Sequence, residues 1–275
     1  MMLEKLKRLW RAEVATISIP KVEAPGIAPR DLTIYLPPGF QRKREHHLLI
    51  ALDGQTMPRW LLGEILTKLS AGGEIDPTIV VAVPASPSRL DEYGTAGELD
   101  YRRRGAKAAV FQRYLVDVVL PQVREHVAVA RDPQRTGIFG ASMGGLCAFD
   151  TAWGRPDVFG LAGVFSGALW WRGDNSSAAA QQASRIIHRR VRKCSVKPAL
   201  RLWFQAGTKD ELEDRDENGV IDAIQDTTEL MDELRARGFR PGTDLQYLEI
   251  VDGQHHETTW AEALPDFLRW AWPRR

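Results

Sequence analysis

Residues Gly140-Ala141-Ser142-Met143-Gly144 read G-x-S-x-G. The pattern carries chemistry only where a strand runs into it and a helix runs out of it. Here Arg135-Thr136-Gly137-Ile138-Phe139 ahead of it is short, apolar and strand-like, and Gly145 to Trp153 after it reads as a helix. In that setting the serine sits on a tight, strained turn. The flanking glycines remove side chains that would clash, and the hydroxyl is pushed out at the carboxyl end of a sheet. The N–H groups of a helix start favour developing negative charge there. Nucleophilic attack on a carbonyl is the chemistry such a serine can do.

A serine alone is a poor nucleophile near neutral pH. It needs a base to take its proton and a carboxylate to orient that base. In a doubly wound hydrolase sheet the chain order is serine, acid, histidine. Two late strand-like stretches end in suitable residues. Leu200 to Gln205 runs into Ala206-Gly207-Thr208-Lys209-Asp210-Glu211, and Leu245 to Val251 runs into Asp252-Gly253-Gln254-His255-His256-Glu257. Of the six histidines, only His255 and His256 lie on a loop leaving a late strand. His46 and His47 lead into an early strand, and His126 and His188 fall in helical patterns, so these four read as surface or satisfied core.

The elements that must hold these residues follow from periodicity. Glu13 to Pro20 and Asp31 to Leu36 alternate as strands. His47 to Leu52 and Thr78 to Val83 are unbroken apolar runs, suited to strands covered on both faces. Trp60 to Leu69, Ala108 to His126, Ser177 to Val191, Thr227 to Arg237 and Thr259 to Trp272 have helical spacing, and Phe159 to Phe165 is a further apolar strand. After the first two strands, strands and helices alternate. The expected class is α/β: a mostly parallel, doubly wound sheet with antiparallel N-terminal strands and helices on both faces. Ala85 to Lys107 is a long polar connection, of a length that is usually functional or mobile.

With 275 residues, 44% of them hydrophobic, the chain suits one large domain over residues 1–275, with 1–12 as an N-terminal extension. A net charge of +1, from 37 basic and 36 acidic residues, offers no one-signed field for a polyanion, so nucleic acid is not an expected partner. Arg102-Arg103-Arg104 and the Arg189 to Lys193 cluster read as solvated surface. Cys147 and Cys194 make no disulfide framework, and Cys147 reads as a small buried apolar residue. No stretch approaches the ~20 apolar residues of a membrane span, and Met1 to Trp10 lacks the apolar core of a signal peptide. The expectation is a cytoplasmic protein acting on a small molecule, as a monomer or homodimer.

At this point the chain resembles the putative esterase family of α/β-hydrolases, which includes esterase D, enterochelin esterases, feruloyl esterases and bacterial mycolyltransferases. Gly140 to Leu146 is similar to that family's G-x-S-M-G-G elbow, Arg155-Pro156-Asp157-Val158-Phe159-Gly160 to its (H/R)-P-D-x-F-G segment, and Phe165-Ser166-Gly167-Ala168 to its next strand end. Gly253 to Trp260 resembles its G-x-H-x-x-x-x-W signature, which implies His255 rather than His256 as the base. Gly207-Thr208-Lys209-Asp210 resembles G-T-x-D and implies Asp210 as the acid, although Glu211, Glu213, Asp214 and Asp216 crowd the same loop and Glu211 stands next in line. Leu52-Asp53-Gly54-Gln55 resembles the L-(D/H)-G segment, which implies that the Gln55 N–H joins that of Met143 in an oxyanion hole, with the Gln55 side chain dispensable. Arg89 with Glu92-Tyr93 resembles an R-x-x-E-Y element at the mouth of the site. The resemblance covers roughly residues 30 to 270 and implies a serine esterase with a Ser142–His255–Asp210 triad and an acyl-enzyme, acting without a cofactor.

Two further readings concern loops. Trp60, Trp170 and Trp171, with Arg89, follow strand ends at the carboxyl edge, where they would bind an aryl, sugar or siderophore-type ester unless the tryptophans are packing. Asp214-Arg215-Asp216-Glu217-Asn218-Gly219-Val220-Ile221-Asp222 has the form of a calcium loop, but its twelfth position is Gln225 instead of a glutamate. The other reading of that loop is an acidic turn with Asp222 capping the next helix. An acyltransferase using the same triad, or a non-catalytic protein of the same fold, are the competing functions.

Overall fold

The computed structural model describes residues 14–274, and the N-terminal extension lies outside them. One eight-stranded sheet organises the molecule, in the order β1-β2-β4-β3-β5-β6-β7-β8. The strands are β1 (Thr16–Ala24), β2 (Ile27–Tyr35), β3 (His47–Leu52), β4 (Thr78–Val83), β5 (Thr136–Ala141), β6 (Leu161–Phe165), β7 (Arg201–Lys209) and β8 (Leu245–Gln254). β1 pairs antiparallel with β2 and β2 antiparallel with β4, and every later pairing is parallel. The fold is thus the expected mostly parallel one.

Burial explains why the central strands read as solid apolar runs. β4, β5 and β6 are buried at every position, because helices cover both faces. The helices are α1 (Leu62–Ala71), α2 (Arg89–Glu92), α3 (Ala108–Tyr114), α4 (Leu120–His126), α5 (Met143–Gly154), α6 (Ala178–Ala183), α7 (Ile186–Lys193), α8 (Asp222–Ala236) and α9 (Glu257–Ala271). On one face Phe111, Leu115, Phe149 and Phe204 pack with Ile50 and Ile138. On the other, Trp60, Phe139, Phe165, Trp260 and Phe267 pack with Leu49 and Val80. The expected helix from Ala108 to His126 is one run broken by a π-helical turn at Leu115–Val119. The expected helix from Ser177 to Val191 is divided into α6 and α7. Helix α8 begins at Asp222, a turn earlier than its apolar periodicity indicates.

The connection from Ala85 to Lys107 is pinned. Arg30 inserts its guanidinium beside Phe111 and Tyr114, 5.3 Å from each ring centroid, and donates to both carboxylate oxygens of Glu92 at 3.1 and 3.2 Å. The Ala96 N–H donates to Asp150 at 2.7 Å, and Arg190 bridges Asp150 and the Ala96 carbonyl. Asp100 accepts from the N–H groups of Arg102 and Arg104 at 3.0 and 2.8 Å. The basic clusters read as solvated surface therefore include residues that bind this segment.

Candidate active site

Ser142 leaves β5 at φ 56° and ψ −124° and stands at the N-terminus of α5. A side-chain-bearing residue at positive φ is costly and persists where the surroundings enforce it. They do so here: its N–H donates to the Phe165 carbonyl at 2.9 Å, and its own carbonyl accepts from Leu146 and Ala168 at 3.1 and 3.0 Å. A Cβ at Gly140 would lie 2.7 Å from the Gly144 backbone, so the turn closes only with glycine there.

The segment after β3 faces this turn. Asp53 adopts φ 54° and leads into a 3-10 turn at Gly54–Thr56. A Cβ at Gly54 would meet Ala82 backbone at 2.6 Å, which is how closely the turn lies on β4. Among the described residues, the N–H groups of Met143 and Gln55 make no hydrogen bond with the protein. The Gln55 side chain is occupied, its Oε1 accepting from the Ala85 N–H at 2.9 Å. The side chain expected to be dispensable ties the turn to the chain leaving β4.

Asp210 and His255 stand past the ends of β7 and β8. Asp210 is 8% exposed, and its Oδ2 accepts from the Gly207 N–H at 3.0 Å, while Oδ1 has no hydrogen-bond partner. Burial raises its pKa, opposed by the Gly207 N–H, the Ser166 hydroxyl and the charge of His255. His255 is exposed as a residue, yet its ring packs edge to face on Trp260 with centroids 5.3 Å apart. Burial of the ring holds its pKa below the ordinary imidazole value. The charge of Asp210 opposes that shift, and the charge of Arg89 adds to it. Among the described residues no hydrogen bond joins His255 to Ser142 or to Asp210. His256 serves the following helix, where its Nδ1 accepts from the Thr258 N–H at 3.2 Å and caps α9.

Comparison with known proteins decides the family. The family model described as "Putative esterase" matches residues 28–271. The chain belongs to that family. It is a carboxylic ester hydrolase of the α/β-hydrolase fold. An uncharacterised protein of Bacillus subtilis, YbbA, is 25% identical over 250 residues, 88% of this chain and 92% of its own. The enterobactin esterase of Shigella flexneri, solved in the presence of enterobactin, superposes with a TM-score of 0.73 at 21% identity, over 94% of this chain and 59% of that one. A ferulic acid esterase from Anaeromyces mucronatus superposes with a TM-score of 0.64 at 17% identity, over 93% of this chain and 90% of that one. At these identities the two structures show the fold alone, and the chain spans less than two thirds of the enterobactin esterase.

Within this esterase, Arg89 makes a bidentate pair with Asp53, Nε to Oδ1 at 2.6 Å and Nη2 to Oδ2 at 2.7 Å. Tyr93 donates nothing to it but accepts from the Asp53 N–H at 3.1 Å. The carboxylate lies directly on the elbow, since a Cβ at Gly144 would sit 2.8 Å from Asp53 Oδ2. The resemblance named Arg89 but gave no sign of its partner. Two tryptophan assignments need correction. Trp60 and Trp171 are 1% and 0% exposed, and Trp60 packs on Phe139, Phe165 and Trp260. Their large apolar rings belong to the core, and only Trp170 is half-exposed.

Glu211, the alternative acid, faces α8. Its carboxyl meets the Ala223 N–H and the charges of Glu213, Asp222 and Asp226, and burial pushes its pKa up to about 7. The folded state holds that proton more tightly than the unfolded chain, so its contribution to stability is present at acid pH and is lost as pH rises toward about 7. Glu211→Gln is expected to raise the melting temperature by about 2–4 °C at about pH 8, roughly 1 kcal/mol after allowance for partial exposure, and to leave it unchanged near pH 4. Thermal melts at the two pH values check this.

The loop after it forms an acidic turn held by its own donors. Asp214 accepts from the Asn218 and Gly219 N–H groups at 3.0 and 2.8 Å, and Asp216 from Gln225 Nε2 at 2.9 Å. Asp222 does not cap α8. Ile221 holds that position, and Asp222 accepts from the Arg215 N–H at 3.0 Å. The Arg215 guanidinium then pairs with Asp226. Among the described residues no group of three or more histidine, cysteine or acidic side chains is arranged to hold a metal ion.

Proposed function

We propose that the protein hydrolyses its ester by acyl transfer through Ser142, His255 and Asp210. The observation that carries this reading is the strained Ser142 at φ 56°, held between β5 and α5 beside two uncommitted N–H groups. Ser142 Oγ attacks the carbonyl carbon while His255 takes its proton. The oxyanion forms against the N–H groups of Met143 and Gln55. Collapse breaks the ester C–O bond, and His255 returns the proton to the departing alcohol. Water then repeats the sequence on the acyl-enzyme and frees the acid. Asp210 keeps the imidazole in one tautomer and stabilises its charged form. Hydrogen bonds that are open in the free enzyme close when substrate fills the site. A fluorophosphonate is expected to label the protein once, on the peptide carrying Ser142; labelling elsewhere overturns the reading.

Loss of an oxyanion donor costs ~3 kcal/mol of barrier. Gln55→Ala keeps the donor and removes only the tether to Ala85, so it is expected to lower kcat by about three- to tenfold, less than a lost donor. Steady-state kinetics with p-nitrophenyl acetate read this directly.

The rim supports an aryl ester. The half-exposed Trp170 lies under Arg104 and Arg172, at 5.6 and 5.9 Å, and Arg172 also lies over Tyr101 at 5.8 Å. Trp170 sits on the segment whose Ala168 N–H binds Ser142, so these rings and cations border the elbow. Stacking with a nearby cation favours an electron-rich or anionic aromatic acyl group. A panel of acetyl, feruloyl and catecholate-siderophore esters tests this, with equal rates for acetyl and aryl esters arguing against it. The proposed partner is a small molecule; among the described residues no helix is long and apolar enough to cross a membrane.

A further inference from the structure

The Asp53 carboxylate stands where a negative charge is least favourable. Asp53 lies two residues before Gln55, and its Oδ2 is 2.8 Å from where a Cβ on Gly144 would be, one residue past Met143. Its side chain is 11% exposed. An anion this close to a developing oxyanion repels it, and a nearly buried site screens the repulsion poorly. Among the described residues Arg89 is the one basic side chain paired with that carboxylate, and the pair is a complete fork, Nε on Oδ1 and Nη2 on Oδ2. The Arg89 guanidinium also lies 5.1 Å from the centroid of the Tyr93 ring, whose hydroxyl accepts from the Asp53 N–H. The Asp53 carbonyl accepts from the Thr56 N–H and the Thr56 hydroxyl, both at 2.8 Å. Every polar group of Asp53 is therefore engaged. These bonds hold a side-chain-bearing residue at φ 54° and leave the next-but-one N–H, that of Gln55, open.

We propose that Asp53 and Arg89 are a positioning pair for the oxyanion hole: the carboxylate locks the Gln55 turn against α5, and the guanidinium cancels the charge that this lock brings to the site. The inference rests on the reading of Ser142, Met143 and Gln55 given above. It gives Arg89 a partner inside the protein, in place of the substrate contact expected from its position at the mouth. The signs of the effects follow. Without Arg89 a nearly buried carboxylate is left uncompensated beside the charge that forms in the transition state. Asparagine at position 53 removes the anion, and it tolerates the same left-handed backbone, so only the fork is lost. Removing both partners takes away the anion as well, so the second substitution restores part of what the first one cost. Lysine at position 89 supplies the charge without the fork.

The test is a double-mutant cycle in the full chain: Arg89→Met, Asp53→Asn and the two combined, with p-nitrophenyl acetate as substrate. That ester is neutral, so it offers Arg89 no charged group to bind. Arg89→Met is expected to lower kcat about 100- to 1,000-fold, the scale of a lost oxyanion donor, with KM within about twofold. Asp53→Asn is expected to lower kcat about tenfold, and the double variant to be about tenfold faster than Arg89→Met. The inhibition constant of phenylboronic acid, whose serine adduct carries the tetrahedral anion, should rise by the factor by which kcat falls. Arg89→Lys is expected to lose at most about tenfold and carries the test if Arg89→Met does not fold. Single losses that multiply in the double variant, a change confined to KM, or a loss of about 100-fold in Arg89→Lys overturn the inference while leaving Ser142 in place. Wild-type activity in Ser142→Ala overturns the reading of the elbow and this inference together.

Discussion

Ser142→Ala is expected to lower kcat for p-nitrophenyl acetate by about 10⁴- to 10⁶-fold, the range in which loss of a triad nucleophile falls. The melting temperature should not drop. Among the described residues the Ser142 hydroxyl makes no hydrogen bond, and the turn is held by main-chain bonds to Phe165, Leu146 and Ala168 that alanine keeps. Alanine also has the same Cβ as serine at φ 56°, so the strain is unaltered. A large loss of rate with an unchanged melt separates a chemical role from a structural one. A variant retaining a tenth of the activity removes Ser142 from the mechanism.

The second large effect distinguishes two adjacent histidines. His255→Ala is expected to lower kcat by at least about 10⁴-fold, since the nucleophile then has no base. His256→Ala is expected to leave kcat within about threefold but to cost about 1 kcal/mol of stability, because His256 Nδ1 caps α9 by accepting from Thr258. Kinetics and thermal melts on the same two proteins should give crossed results. The pH dependence follows in sign. Burial and Arg89 hold the His255 pKa below the ordinary imidazole value, so the base is neutral and competent at neutral pH. As pH falls through that lowered pKa the ring gains a proton and the rate is lost, which puts the acid limb below about 6.5. Inactivation by His256→Ala alone would transfer the base assignment.

The elbow was legible because all its determinants are local: one strand, two glycines, one serine and a helix start. The apolar runs of β3, β4 and β5 were legible because strands covered on both faces carry a one-dimensional signature. The pairs that shape the site were not. Arg89 meets Asp53 across 36 positions and Trp260 meets Ser166 across 94, and no spacing rule links such residues. Tryptophan was equally opaque, since a ring at a strand end can face the rim, as Trp170 does, or the core, as Trp60 does. The start of α8 was hidden because its first two turns hold Asp222 and Asp226, which face arginines instead of an apolar core. Adjacent in sequence, Asp210 and Glu211 gave no local sign that their carboxyls meet different surroundings, His255 and the Gly207 N–H for one and the acidic start of α8 for the other.

The wall from Ala85 to Lys107 has a consequence for how substrates are chosen. Arg30–Glu92, Ala96–Asp150 and Arg190–Ala96 fix it to strand, helix and helix, and Arg89–Asp53 fixes its inner edge to the elbow. A preformed wall loses little freedom when a ligand arrives, so discrimination rests on rigid fit, not on closure. Capture should then be a single diffusive step without a slow isomerisation after encounter. New preferences in related enzymes would arise by re-cutting this wall, with the elbow beneath it left alone.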